Sequence, residues 1–400
     1  MLFTNVKLND DAVHLRTQGD RITAISLKPL PPIPGETVVT GGRITPPLAE
    51  PHTHLDATGL AAVAPNVSGT LREGIANWAK LRPGLTVEDV QTRARKTLSW
   101  YADWGALRVR THVDTGSRIA VEALLDLRTQ VAAEGITLEV VAFPQEGILR
   151  APSRRADWEW AVAQGCDAVG AIPHFERTAL EGWESVKLAF ALAESVGAKV
   201  DMHIDETDDP GSRSIEVACA QAIDRGMGAA TVLGHCTALH SYPNPYAAKL
   251  IELIAESGAT VVTNPLDNVV LQGRYDGYPK RRGITRVDEL WAAGVHVGIG
   301  HDSVMDPWYP LGQANLMDAA SMLAHVGHLT GTTQMERIVA TLWTDNHRPF
   351  GDVPVLCEGG EATFLWWPTV SLTEILRLRP RPAVINRGEK RAGGVLEVRG

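Results

Sequence analysis

The chain has little cysteine: four residues in 400, Cys166, Cys219, Cys236 and Cys357, with no CxxC pair. That scarcity excludes a disulfide scaffold or a thiolate metal ribbon and reads as buried free thiols in a reducing compartment. Positive charge is also short, with 38 Lys and Arg against 47 Asp and Glu and a formal net charge of -9. Binding a phosphate backbone needs clustered cations. The one basic knot, Lys280-Arg281-Arg282, lies between Pro279 and Gly283 as a loop anchor or subunit contact. No apolar run approaches the ~18 residues of a membrane span, and the start MLFTNVKLNDDAVHL lacks the pattern of a signal peptide. No low-complexity tract argues for disorder. The expectation is a soluble, cytoplasmic protein with neither nucleic-acid nor membrane partners.

What is present is repetition. From residue 44 to about 302 a short β-rich run, a polar loop and an amphipathic helical stretch recur, with runs at ITPPLAEPHTH, ALRVRTHV, ITLEVVAF, DAVGAIPH, AKVDMHID, AATVLGH, ATVVTNP and VHVGIGHD. Segments such as VEDVQTRARKTLSWYADWG and ESVKLAFALAESVG carry helical periodicity and stop at Gly. Strands that alternate with helices pair in parallel through crossovers, and eight units can close into a (β/α)8 TIM barrel. An open doubly wound sheet is the alternative, but no GxGxxG turn follows the first strand. The ends, LFTNVKL to ETVVTGGRI and ATFLWWP to GVLEVRG, read as short alternating strands. The expected organisation is 1–47 and 351–400 forming one small β-sandwich, with the barrel at 48–350.

In such a barrel the chemistry sits at the C-terminal strand ends. The first run ends in His52 and His54, two apart and therefore on one face of a strand. The fifth carries His203, flanked in alternation by Asp201 and Asp205, with Glu206 following. The sixth ends at His235, and the eighth at His301-Asp302-Ser303. Asp302 alternates with Gly298 and Gly300, a face that leaves room at the barrel axis, whereas His301 points to the apolar layer. Three or four imidazoles and a carboxylate on one rim form a first-row transition-metal site. A divalent metal there would bring a bound water toward neutral pKa and present it to an electrophilic carbon. Glu206 is placed to act as the general acid. His112 and Asp114 read as an interior hydrogen-bonded layer, His325 and His328 as helix-surface residues.

These motifs resemble a known family. PHTHLD, HIDE, GHCTALHSY and HDSVMDPWYPLG, with VAFPQEGIL, AIPHFE, LQGRYDGYPKRRGITRV and SGTLREGI, are similar to bacterial cytosine deaminases of the amidohydrolase superfamily, from about 48 to 330. The resemblance implies one divalent metal, Fe(II) or Zn(II), on His52, His54, His203 and Asp302. It implies that Glu206 shuttles protons, that His235 orients the water and that Asp302 accepts its proton. Gln145 would read an amide-like ring edge, Trp308 would close the pocket and Leu71 would line it. The implied partner is a small pyrimidine, in a homo-oligomer serving pyrimidine salvage. Relatives that open cyclic amides bridge two metals with a lysine after strand four; AIPHFE has His174 instead. A related deaminase acting on isoguanine, creatinine or an amino-triazine is the alternative, and a scaffold that has lost its chemistry would not keep the whole ligand set.

One position departs from the family. Ser303 stands where cytosine deaminases carry a second aspartate, near the 4-amino and C5 side of the ring. A smaller, uncharged residue there would admit a C5 substituent, so 5-methylcytosine is expected to be converted to thymine at least as well as cytosine to uracil.

Overall fold

The computed structural model describes residues 1–394 and 396, so the GVLEVRG run lies largely outside the described residues. Short alternating strands open the chain: β1 (Leu2–Leu8), β2 (Asp11–Gln18), β3 (Arg21–Ser26), β4 (Val38–Thr40) and β5 (Arg43–Thr45). Eight strands with helical connections follow: β6 (Leu48–Thr53), β7 (Ala106–Asp114), β8 (Thr137–Phe143), β9 (Ala168–Val169), β10 (Lys199–Ile204), β11 (Thr231–His235), β12 (Thr260–Thr263) and β13 (Val297–Ile299). The chain returns to the first sheet with β14 (Phe364–Trp367), β15 (Ala383–Asn386) and β16 (Glu389–Gly393).

Both ends thus build one sheet, in the order β16-β15-β14-β5-β1-β2-β3 with β4 on β1. The join is the antiparallel β14–β5 ladder, which pairs Trp366 with Ile44 across most of the chain length. Its alternating inward residues, including Phe3, Leu15, Ile22, Phe364, Trp366 and Ile385, form a separate apolar core. Phe3 and Phe364 meet edge to face at 5.2 Å.

The second sheet is parallel throughout, β6 to β13 in chain order. Helices such as Val87–Asp103, Arg118–Ala133 and Ala179–Val196 cross back over it, started by Thr86, Ser117 and Thr178 side chains that accept from backbone N–H groups. Such caps satisfy donors that a helix start leaves unpaired. Gly197 ends the third of these helices at φ 69°.

The seam between β6 and β13 closes the ring. At its base Asn346 donates to Ala49 O (2.7 Å) and Ile299 O (2.8 Å) and accepts from Ile299 N at 2.8 Å. At its top a parallel bridge joins Thr53 to Asp302. Inside, Arg110 is buried and pairs with Asp201 at 2.8 Å and with Glu139, so an ionic layer replaces hydrocarbon under the site. No helix among the described residues is long and apolar enough to cross a membrane.

Several local expectations change. Cys166, Cys219 and Cys236 are buried, but Cys357 is exposed. His328 lies beyond the helix Leu316–Val326. Asp205 leaves the β10 alternation at φ 47°, and its carboxylate takes Ser212 Oγ at 2.6 Å and Ile215 N at 2.9 Å, capping the helix Ser214–Asp224.

Candidate active site

Alternation along β6 sends His52 and His54 to the same side, where both meet His203 at the tip of β10. Nε2 of His203 stands 3.2 Å from Nε2 of His52 and 3.1 Å from Nε2 of His54. Asp302 Oδ1 lies 3.4 Å from Nε2 of His54 and 3.8 Å from Nε2 of His52. All four side chains are buried. Three ring nitrogens converging with a carboxylate oxygen cannot all satisfy one another as hydrogen-bond partners. Ligand atoms about 2.0–2.2 Å from an ion stand roughly 3.3–3.6 Å apart, so this spacing and donor set fit a divalent metal ion.

Asp302 reaches this point by a turn rather than by alternation. β13 ends at Ile299, and Asp302 adopts φ 67°. The room expected beside Gly300 is occupied: a Cβ there would meet Asn264 Oδ1 at 2.3 Å and His52 Cβ at 3.1 Å. That glycine therefore permits close packing of the first and last strands. His301 turns away, fully buried, its Nδ1–H donating to Ser303 O at 3.1 Å.

His235 ends β11 in the left-handed region, φ 66°, as does Cys236 at 51°. Its ring is held by Asn268 Nδ2, 3.0 Å from Nδ1, and by Asn264 Nδ2 at 3.3 Å. Glu206 Oε1 lies 3.5 Å from the same Nδ1. Burial pushes the Glu206 carboxyl up to about 8, reinforced by the Asp302 charge. Burial also drives His235 down to about 4, against the pull of Asp302, which keeps it neutral. Burial opposes charge on His54 too, but Asp302 outweighs it and holds His54 at about 9.

One cavity gathers the expected residues: His54, Leu71, Gln145, His203, Glu206, His235, Asp302, Ser303 and Trp308 line it together. His52 lies behind it. Trp308 forms a wall, its ring 5.6 Å from His54 and 5.8 Å from Trp78. The helix Leu71–Leu81 can approach that wall because position 74 is glycine; a Cβ there would fall 2.7 Å from Pro307 O. Asp306 supports the loop by accepting from the N–H groups of Trp308 and Tyr309, each at 2.9 Å.

Sequence reading missed four neighbours. Asp267 and Leu271 also line the cavity, and Asn264 and Asn268 orient His235. All four come from NPLDNVVL after β12, where Asn264 precedes a helix of only seven residues, Pro265–Leu271. Phe143, stacked on His203 at 4.0 Å, was visible only as strand core. His112 does lie inside, 4.0 Å from His52, with both ring nitrogens unpartnered among the described residues. Asp114 instead faces outward to Trp78 Nε1 and Arg82, each at 2.7 Å.

A parallel barrel with imidazoles and a carboxylate converging at its C-terminal rim defines a metal-dependent hydrolase. Residues 158–348 match the amidohydrolase family. Over its full length the chain is 37% identical to the crystal structure of 5-methylcytosine deaminase from Klebsiella pneumoniae liganded with 5-fluorocytosine, covering 100% of this chain and 99% of that one with a TM-score of 0.94. It is 26% identical to N-isopropylammelide isopropylaminohydrolase from Burkholderia multivorans, over 98% of each chain with a TM-score of 0.83. A pterin deaminase from Rhizobium rhizogenes is 27% identical over 315 residues, 75% of this chain and 69% of that protein. The chain belongs to the amidohydrolase family.

Proposed function

We propose that the protein hydrolytically deaminates a free pyrimidine base, 5-methylcytosine at least as readily as cytosine. The observation that carries this reading is that Gln145 and Glu206 line one small cavity with His54, His203, His235 and Asp302. Its support comes from a chain 37% identical throughout to a structure of 5-methylcytosine deaminase.

His52, His54, His203 and Asp302 would hold one divalent metal, iron or zinc. Such an ion supplies Lewis acidity that activates water toward an electrophilic ring carbon. The remaining work falls to side chains. Glu206, held protonated near neutrality by burial, delivers a proton to the ring nitrogen beside the attacked carbon. His235, neutral and fixed by Asn264 and Asn268, orients the water. Asp302 accepts the water's proton.

Gln145 offers a donor and an acceptor to the ring's N–C=O edge. Trp308 and Leu71 cover the ring face, excluding bulk water and strengthening each electrostatic contact inside. Ser303, small and uncharged, leaves space for a methyl at C5. One methyl in a fitted pocket is worth about 1 to 3 kcal/mol, enough to reorder substrates.

Ammonia release from cytosine, 5-methylcytosine, 5-fluorocytosine, isoguanine, creatinine and an amino-triazine tests this, compared as kcat/KM. Strong preference for unsubstituted cytosine would sink the methyl assignment, and turnover confined to the last three would move the substrate class.

A further inference from the structure

We infer that Asp267 is a further substrate-contacting residue, whose carboxyl group accepts a hydrogen bond from the exocyclic amino group that the reaction removes. The inference rests on the deaminase reading above.

Three observations place it there. Asp267 lines the cavity, is 1% exposed, and its Oδ1 has no hydrogen-bond partner among the described residues. A buried carboxyl oxygen left without a donor costs stability unless a ligand provides one. Its neighbours on the same segment are already committed, since Asn264 and Asn268 spend their amide donors on His235. Asp267, between them, lines the cavity together with Ser303.

The order of strands then says which part of a ring it meets. Gln145 follows β8, the third barrel strand; Asp267 follows β12, the seventh; Ser303 follows β13, the eighth. In a ring of eight, the third and seventh positions stand across from one another. A six-membered ring that gives its N1–C2 edge to Gln145 gives its opposite edge, C4 with its amino group and C5, to Asp267 and Ser303. Glu206, after the fifth strand, faces the ring nitrogen between those edges.

The chemistry of that wall agrees. Glu206, Asp267 and Asp302 line the cavity, and neither Lys nor Arg does. The unpartnered Asp267 Oδ1 is therefore an acceptor open to an N–H donor, with no Lys or Arg in the lining to compete for it. The amino form of the ring carries the donor and the oxo product does not, so the contact distinguishes substrate from product. Ser303 and Asp267 thereby divide the edge, one leaving room for C5 and the other taking the amine.

The test uses the metal-loaded enzyme with Asp267→Val and the near-isosteric Asp267→Asn. Thermal melting and metal content establish that each variant is folded and loaded. Two quantities are then compared: kcat/KM for cytosine and 5-methylcytosine, and the inhibition constant of pyrimidin-2-one, the same ring without the amino group. For Asp267→Val the first should fall about 10- to 100-fold, with the second as in wild type. Asp267→Asn keeps an acceptor oxygen and should lose less. An equal loss for both ligands, or no loss of kcat/KM in Asp267→Val, overturns the assignment. A wild-type enzyme that binds pyrimidin-2-one but releases no ammonia from either base overturns the deaminase reading itself.

Discussion

Thr53 and Asp302, 249 positions apart, are joined by a parallel β-bridge and by a 2.6 Å hydrogen bond from the Thr53 hydroxyl to the Asp302 carbonyl. Tyr101 donates in turn to Thr53 Oγ1 at 3.1 Å. Barrel closure and placement of a proposed metal ligand are therefore one event.

Thr53→Val keeps the side-chain volume and removes both hydrogen bonds. Partners that orient a ligand typically account for about 10- to 100-fold in metal affinity. Metal retained after graded chelator exposure should fall by that order, and unchanged retention would separate closure from metal binding.

Glu206→Gln preserves shape and removes the transferable proton. A positioned acid contributes roughly 100- to 10,000-fold. The variant should lose kcat to that extent while binding metal and pyrimidin-2-one as the wild type does; a modest change in kcat would point to another acid.

Ser303→Asp puts a charge and extra bulk beside C5. The ratio of kcat/KM for 5-methylcytosine over cytosine should drop about tenfold or more. If the ratio holds, the methyl group is accommodated elsewhere.

His347 gives a pH dependence away from the site. Its Nε2–H donates to Pro47 O at 2.8 Å, and burial lowers its pKa to about 4. Between the ordinary value near 6.5 and about 4 the unfolded chain binds the extra proton, so folding stability is fully present above about 6.5 and declines as pH falls. The decline from this residue is of order 3 kcal/mol at pH 4. Urea unfolding at pH 7.5 and 4.5 should show a smaller difference for His347→Gln, which retains a donor but not the titration.

The eight barrel strands were legible because short β-rich runs led into polar loops and amphipathic helical stretches that stopped at Gly, signals that local backbone preference creates. His52, His54, His203 and His235 were legible for the same reason. Alternation failed where the backbone turned left-handed: Asp205 left the rim to cap a helix, and Asp302 arrived by φ 67°. Asp267, Asn264 and Asn268 escaped notice because a seven-residue helix shows too little periodicity. Asn346 gave no signal at all, since its partner Ala49 is 297 positions away and only the closed ring brings them together.

Asp205, His235, Cys236 and Asp302 all hold positive φ at the ends of the strands that carry the proposed site. A non-glycine residue held there costs of order 1–3 kcal/mol. A sequence selected for folding alone would place glycine at several of these positions. The rim thus couples backbone strain to side-chain placement: glycine at His235 would relax the backbone but empty the site and orphan the Asn264 and Asn268 amides that now hold the ring.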